Sequence, residues 1–510
     1  MSSNYSYPGV YIEEIPSGVH TISGVSTSDT AFVGFFKRGP MCEPVRITSF
    51  SDFERRFGGL DARSEASYAI EQYYLNGGQI AWVVRVASGT PTAATLTLDG
   101  CSPPCDTLTV KAANPGVWGC NVQVSVEYPT NSPSSDTFNM SVREMSEDQT
   151  RVVNSEVYYN LSMDKDSSTY VVDVINNQSS LIQLTDIGGG EIPYQIEFTN
   201  LGQELGECDG RDGQVPDADA LTDGMNTLDT IAPYVFNILC LPAAANLDDD
   251  GKSVYSAAIT YCESKRAFLI VDIPADVASL DNMNAWMTAV GDAIRHKNAA
   301  VYFPRLEIAD QLKESRPRNV GASGTLAGIY ARTDATRGVW KAPAGTEATL
   351  RGASPVLKLT DLENGGLNPL GINVLRILPV YGNVCWGSRT LDGADQMASE
   401  WKYIPVRRLA LYIEESLFQA LQWVVFEPND EPLWSQIRLN VGTFMQDLFR
   451  QGAFQGQSPN EAYFVKCDKD TTTQSDIDRG IVNILVGFAP LKPAEFVVVK
   501  LQQIAGQSPT

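Results

Sequence analysis

Apolar positions change their spacing several times along the chain, and each change marks a change of element. Residues 31–36, AFVGFF, form a continuous apolar run of strand length. Residues 50–57 follow as a short helix, with Ser51 or Asp52 as the expected N-cap. In 66–76, Ala66, Ala69, Ile70, Tyr73 and Tyr74 recur at helical spacing, and Asn76-Gly77-Gly78 supplies the stop. IAWVVRV (80–86) predicts a second buried strand, so the order is β-α-β. From about 91 to 220 the texture shifts to Ser, Thr, Asn and Asp. Short alternating runs there, NVQVSVEY (121–128) and YVVDVI (170–175), predict strands between turn clusters at 130–136, 188–190 and 209–213.

After this insertion the first pattern returns. NILCLP (237–242), FLIVDIP (268–274) and VYFP (301–304) predict strands, and helices over 255–265 and 283–297 lie between them. Successive strand–helix units predict a parallel sheet. Residues 406–426 predict a long helix, with Leu409, Ile413, Leu417, Ala420, Leu421 and Val424 on one face. Asn429 or Asp430 is placed to cap the next helix, which carries Leu433, Trp434, Ile437, Val441, Phe444, Met445 and Leu448 and fades at Gly452. IVNILVGFAP (481–490) predicts a strand, and EFVVVKLQQI (495–504) is a last apolar run. The first 25 residues read as an extended arm, in which Val10-Tyr11-Ile12-Glu13-Glu14-Ile15 is β-prone and closed by Pro16. The predicted class is α/β (α+β overall). Its parts are an arm (1–25), an α/β core in two pieces (26–90 and 221–380), a β-rich acidic insertion (91–220), an α+β C-terminal domain (381–490) and a second strand arm (491–510).

Composition narrows the function. A length of 510 residues suits roughly three or four domains. No run of eighteen apolar residues exists, so no transmembrane helix and no membrane insertion is expected. The start lacks the basic and apolar regions of a signal peptide. Nine scattered cysteines suit buried thiols in a reducing compartment better than a disulfide framework. A formal net charge of −23 argues against nucleic acid as a partner. The charge is uneven: residues 91–230 hold 22 acidic and 5 basic side chains, whereas 295–351 hold 10 basic and 5 acidic. The first is a solvated acidic surface, and the second carries a basic face that can orient a neighbour.

The densest candidate chemistry is AGIYARTDATRGVWKAPAG (327–345), with Arg332, Asp334, Arg337 and Lys341 among small and aromatic residues. It suits either anion binding or a protein contact. No phosphate loop of the GxxxxGK[ST] type accompanies it. Gly321-Ala-Ser323-Gly-Thr325 lacks the final Gly of a nucleophile elbow, so Ser323 reads as a turn or helix-start residue. His20 and His296 are the two histidines, and both are expected to face solvent. Cys101 and Cys105 have metal-like spacing without a second pair. Asn246–Gly251 resembles half of a calcium loop but has Ala257 where a bidentate Glu is needed, so an exposed turn is expected there. No cofactor, metal or catalytic residue is predicted.

With those exclusions, the segments PGVYIEEI (8–15), FVGFFKRGP (32–40), NGGQIAWVVRV (76–86), NPGVWGCNVQV (114–124), 327–345, INVLRILPVYGNVCWGSRTL (372–391) and 401–502 carry a pattern. The chain resembles the tail sheath proteins of contractile phage tails and of phage-tail-like contractile injection systems. The resemblance is weakest over 125–220, where sheath proteins carry variable outward insertions. It implies a non-enzymatic subunit that stacks in rings, usually sixfold, around an inner tube and contracts after a baseplate trigger. Implied partners are copies of itself, the tube protein, baseplate and terminator or cap proteins, and paralogous sheaths. The implied place is the bacterial cytoplasm during assembly, then a phage tail or an injection particle. The alternatives are an α/β-core hydrolase and another tail or capsid assembly protein.

Residue chemistry meets this at the two ends, in the acidic 91–220 insertion, which suits an outer surface, and in the basic 295–351 segment, which suits head-to-tail contacts. Val10, Tyr11, Ile12 and Glu13 at one end, and Phe496, Val497, Val498, Val499 and Leu501 at the other, are expected to pair as strands with neighbouring subunits. Arg332, Asp334, Arg337 and Lys341 are candidate electrostatic contacts, with an internal brace as the competing reading. The resemblance puts the inner-tube contact in the C-terminal domain, which makes the 432–452 helix and the loop Gln451–Ser458, with Gln451, Gln455 and Gln457, its candidates, although the helix's apolar face also reads as core.

Overall fold

A computed structural model describes residues 21–100, 106–129, 137–188, 191–202 and 208–500. The chain divides into two compact units, Ser26–Arg408 and a second made of Met1–Val25 with Leu409–Thr510.

The larger unit opens with β1 (Thr30–Gly34), β2 (Pro44–Ile47), α1 (Phe50–Phe57), α2 (Glu65–Asn76) and β3 (Ala81–Arg85). The insertion follows as β4 (Thr95–Asp99), β5 (Asp106–Ala112), β6 (Val122–Glu127), β7 (Thr137–Met145), β8 (Val152–Ser162), α3 (Val171–Gln178), β9 (Ile182–Asp186) and β10 (Ile196–Asn200). The core resumes with α4 (Ala218–Asn226), β11 (Ile238–Cys240), α5 (Asp248–Ser264), β12 (Phe268–Val271), α6 (Leu280–Ile294) and β13 (Ala299–Phe303). It ends with β14 (Leu306–Asp310), β15 (Arg316–Val320), α7 (Ser323–Arg337), β16 (Ala353–Pro355), α8 (Asp361–Leu367), β17 (Asn373–Leu378) and β18 (Gly382–Cys385).

The main sheet runs β18-β17-β13-β12-β11-β1-β3-β2. Its six inner strands are parallel, and the two edges are antiparallel. Parallel strands are buried on both faces, which explains the unbroken apolar runs in β1, β12 and β13. Leu221, Met225, Val254, Ala258, Met283 and Met287, from α4, α5 and α6, pack with Ala31, Leu239, Leu269 and Val301 of the strands. The insertion has its own core of residues such as Leu108, Val124, Met140 and Ile182. That core lies with the sheets β10-β6-β7-β8 and β4-β5-β9.

Three expectations on elements are corrected. Ser49, not Ser51 or Asp52, caps α1, because its side chain accepts from Asp52 N while Asp52 pairs with Arg55 and Arg56. YVVDVI is not a strand: it begins helix α3, which buries Val171 and Ile175 one helical turn apart. Alternation over six residues did not separate the two periods. The long helix predicted to Phe426 stops earlier, as α9 (Ile404–Ala420), followed by a 3-10 turn at Gln422–Val424.

In the smaller unit, α9 leads to α10 (Glu431–Arg450), α11 (Pro459–Ala462), β19 (Tyr463–Lys466), α12 (Gln474–Asp478) and β20 (Leu485–Phe488). Asp430 caps α10 by accepting from Leu433 N at 3.3 Å. The seven apolar residues expected on the face of α10 are all buried. The segment before Ser26 lies along α9: Val25 N donates to Ser416 Oγ at 3.2 Å, and a side chain at Gly24 would strike the Tyr412 hydroxyl.

Candidate functional site

The block 327–345 is mostly helix α7 and the loop after it, and its small residues have a packing role. A Cβ at Gly324 would lie 2.1 Å from Ala69 O, and one at Gly328 2.5 Å from Tyr73 O. These two glycines let α7 and α2 approach backbone to backbone, with residues 323–331 buried. The charged residues then divide by place. Arg332 donates to Asn76 O at 3.0 Å and Thr349 O at 2.8 Å, securing the C-terminal end of α2. Asp334 holds Arg408 through both carboxylate oxygens, at 2.6 and 3.0 Å, with side chains only 4% and 3% exposed. Arg408 also donates to Thr27 O at 2.8 Å and lies over the Tyr330 ring, whose hydroxyl meets that of Tyr302. Arg332 and Asp334 are therefore committed inside the larger unit. Arg337 stays exposed and pairs with both oxygens of Glu347 at 2.9 Å. Lys341 is half-buried and donates to Ala342 O at 3.0 Å.

A second polar cluster lies at the start of α7. Asp272, just beyond β12, accepts from Ser323 N at 2.9 Å and from Ser323 Oγ. A carboxyl group from the residue after a strand thus caps a helix whose N-cap, Ala322, has no side-chain cap of its own. Arg305 donates to Glu65, Asn319 and Ile273 O beside it, and Tyr255 to Asp272 O. Burial pushes the carboxyls of Asp272 and Glu65 up despite the opposing Arg305 charge. Ser323, Asp272, Arg305 and Tyr255 are buried, so a substrate cannot reach the Ser323 hydroxyl. Ser323 is the first residue of α7, as the sequence reading placed it.

Several other candidates resolve into structure. Asp248–Gly251 forms the first turn of α5, which corrects the expected exposed turn and is not a calcium loop. Among the described residues no group of three or more His, Cys, Asp or Glu is placed to hold a metal. His296 is half-buried rather than solvent-facing: its Nδ1 accepts from Asn298 N at 3.1 Å, and Nε2 lies 3.5 Å from Glu263. Burial lowers its pKa. Cys120 and Cys208 form a disulfide, which corrects the expectation of free thiols for that pair. Cys240, Cys262, Cys385 and Cys467 are free and buried. His20, Cys101 and Cys105 lie outside the described residues.

The predicted assembly residues sit as follows. Phe496, Val497, Val498 and Val499 lie in a segment without regular structure and are 75%, 82%, 79% and 75% exposed. Strands β19 and β20 form a two-stranded antiparallel sheet, with Phe464 and Leu485 exposed on it. Gln451, Gln455 and Gln457 are exposed in and after the C-cap of α10. Val10, Tyr11, Ile12, Glu13 and Leu501 lie outside the described residues.

Arg85 was missed in the sequence. It is fully buried in β3 and donates to Gly39 O at 2.9 Å and Pro115 O at 2.7 Å. It thereby joins three motif segments, FVGFFKRGP, NGGQIAWVVRV and NPGVWGCNVQV. The available signal was a lone cation within an apolar run, since buried charges are kept only with partners.

The Ser323 cluster is sealed, whereas Phe496–Val499 present exposed apolar side chains. Proteins named for tail sheaths are similar to this chain in sequence and in fold. Residues 396–504 match the family described as the phage tail sheath C-terminal domain. Over 247 residues the chain is 26% identical to a Pseudomonas aeruginosa (strain UCBPP-PA14) prophage protein named for the major tail sheath. That match covers 48% of this chain and 60% of the relative. The chain therefore spans less than two thirds of that curated relative. In fold it is similar to the sheath of the extracellular contractile injection system PVC in its contracted state, with TM-score 0.57, 21% identity and coverage of 98% and 99% of the two chains. It is also similar to the contracted helical sheath of the anti-feeding prophage, with TM-score 0.55, 25% identity and coverage of 98% and 99%. The chain resembles the sheath proteins of contractile tails and injection systems, and over 396–504 it carries a match to their C-terminal domain.

Proposed function

We propose that this chain is a sheath subunit that polymerises as stacked, sixfold rings around an inner tube and contracts to drive the tube through a target envelope. The observation that carries the reading is the exposed run Phe496–Val499 in the same unit as the two-stranded β19–β20 sheet. A two-stranded sheet is marginal alone, and an unpaired apolar strand is an aggregation hazard. Strand exchange between neighbours resolves both: the run 495–501, and Val10–Ile15 from the other end, add to a neighbour's β19–β20. Each main-chain hydrogen bond contributes ~0.5–1.5 kcal/mol net, and each large apolar side chain covered adds ~1.5–3 kcal/mol. Repetition along a helical lattice multiplies these small terms.

The remaining assignments follow from this reading. The acidic insertion faces outward, and Arg337 contributes an exposed charge to a neighbour. Gln451, Gln455 and Gln457 face the tube. Baseplate and terminator proteins close the two ends of the stack, and assembly takes place in the bacterial cytoplasm before release or firing. Electron microscopy of the purified chain tests the reading. Hollow tubes of cogwheel section are expected, and their abundance is expected to change in Arg337→Glu. Thin smooth tubes, closed shells or only monomers would overturn it.

A further inference from the structure

The insertion leaves the core after β3 and returns before α4 through a neck held by backbone pairs. Ser88 and Gln214 exchange hydrogen bonds at 3.1 and 2.8 Å, and Thr92 and Arg211 do so at 3.0 and 2.9 Å. Asp209 receives Thr95 Oγ1 at 2.6 Å. These are non-covalent contacts between half-buried Ser88, Thr92 and Thr95 and exposed Asp209, Arg211 and Gln214, and contacts at the surface are the ones that open locally at least cost. One covalent tie is added to them: Cys120, just before β6, joins Cys208 on the returning segment, across a sequence separation of 88. Space is kept for that sulfur. A Cβ at Gly202 would lie 3.0 Å from Cys120 Sγ, and one at Gly210 3.3 Å from it.

We propose that Cys120 and Cys208 are a redox latch on this neck, a dithiol in a reducing interior and a disulfide once the protein meets an oxidising medium. The distribution of thiols supports this. Cys120 is buried but Cys208 is exposed, so small oxidants and reductants reach the pair from the Cys208 side. Cys240, Cys262, Cys385 and Cys467 are buried, and burial raises each of their thiol pKa values, Cys385 to about 12 and Cys467 to about 11. Such thiols are inert to exchange, because the thiolate is the reactive form. Cys42 is exposed but free.

The oxidant is a low-molecular-weight disulfide. One protein thiolate attacks it, forms a mixed disulfide and releases one small thiolate. The second protein thiolate then attacks the bound protein sulfur, closing Cys120–Cys208 and releasing the other small thiolate. The two protein thiols each lose a proton to solvent, and the oxidant gains two electrons as it becomes two thiols. The closed link constrains the loop that carries β6 to β10 and so resists opening of the neck.

The test combines thiol trapping with proteolysis of the full chain. Cells quenched in acid and alkylated are compared with protein purified and held in an oxidised-thiol buffer. Cys120 and Cys208 are expected to be alkylated in the cell sample and recovered as one linked peptide in the oxidised sample. Cleavage within 91–214 is expected to be several-fold slower when oxidised, and dithiothreitol is expected to restore the faster rate in the unaltered protein. The Cys120→Ser, Cys208→Ser variant is expected to be cut at the fast rate in both buffers. A linked peptide already present in the quenched cells would overturn the proposal. So would free thiols after oxidation, or a cleavage rate that reductant leaves unchanged.

Discussion

Asp334 shows how far a residue's chemistry can be read without its surroundings. In the sequence it is one charge in a basic, aromatic block, equally fit for a neighbour or for a brace. In the fold it makes a two-pronged pair with Arg408, which also holds Thr27 O and covers Tyr330. Breaking one side of a buried pair strands the other charge, at a cost of about 3–5 kcal/mol. Asp334→Ala is therefore expected to lower stability by that order in urea melts. Asp334→Leu with Arg408→Met is expected to recover part of the loss, because no buried charge is left alone. Arg85 carries the same lesson. A cation inside AWVVR announces that it must have partners, but only the fold shows them to be the carbonyls of Gly39 and Pro115.

Among the elements, those with a long or unambiguous period were legible. Strands β1, β3, β11, β12 and β13 and helices α2, α6 and α10 lie where apolar spacing puts them, whereas α5 starts at Asp248, ahead of the expected 255. Short segments were not: α3 presents Val171 and Ile175, a spacing that six residues cannot separate from alternation. Caps supplied from a distance were also hidden, and Asp272 at the start of α7 is the clearest case. It carries a testable pH dependence. Burial raises the Asp272 carboxyl pKa above its ordinary value, against the opposing effects of Ser323 and Arg305. Between the ordinary pKa and the raised one the folded state binds more protons than the unfolded chain, so this group's contribution to stability falls as pH rises across that window to the folded pKa. Glu65, also raised and beside Arg305, adds to the same slope, while Tyr255 donates to the Asp272 backbone carbonyl. Asp272→Asn keeps an acceptor for Ser323 N and removes the titration. Urea midpoints between acid and neutral pH are expected to decline less steeply with pH in this variant than in the unaltered protein. An equal slope in the two would place the titration elsewhere.

At the scale of the whole molecule, the sequence pattern gave a core, an acidic β-rich insertion and apolar runs at the two ends. The Cys120–Cys208 link was not legible, since pairing across 88 positions leaves no local pattern. The end runs were legible as β-prone but not as to partner, because Phe496–Val499 lie uncovered within one chain. The proposal that such runs are completed by neighbours makes assembly, not folding, depend on them. The most direct measurement is electron microscopy, paired with circular dichroism, on two truncations, one lacking residues 1–15 and one lacking 495–510. Both are expected to remain soluble, with the secondary structure and melting behaviour of the full chain, and to form no tubes under conditions in which the full chain does. Normal tubes from both truncated chains would contradict strand exchange as the link that holds the sheath together.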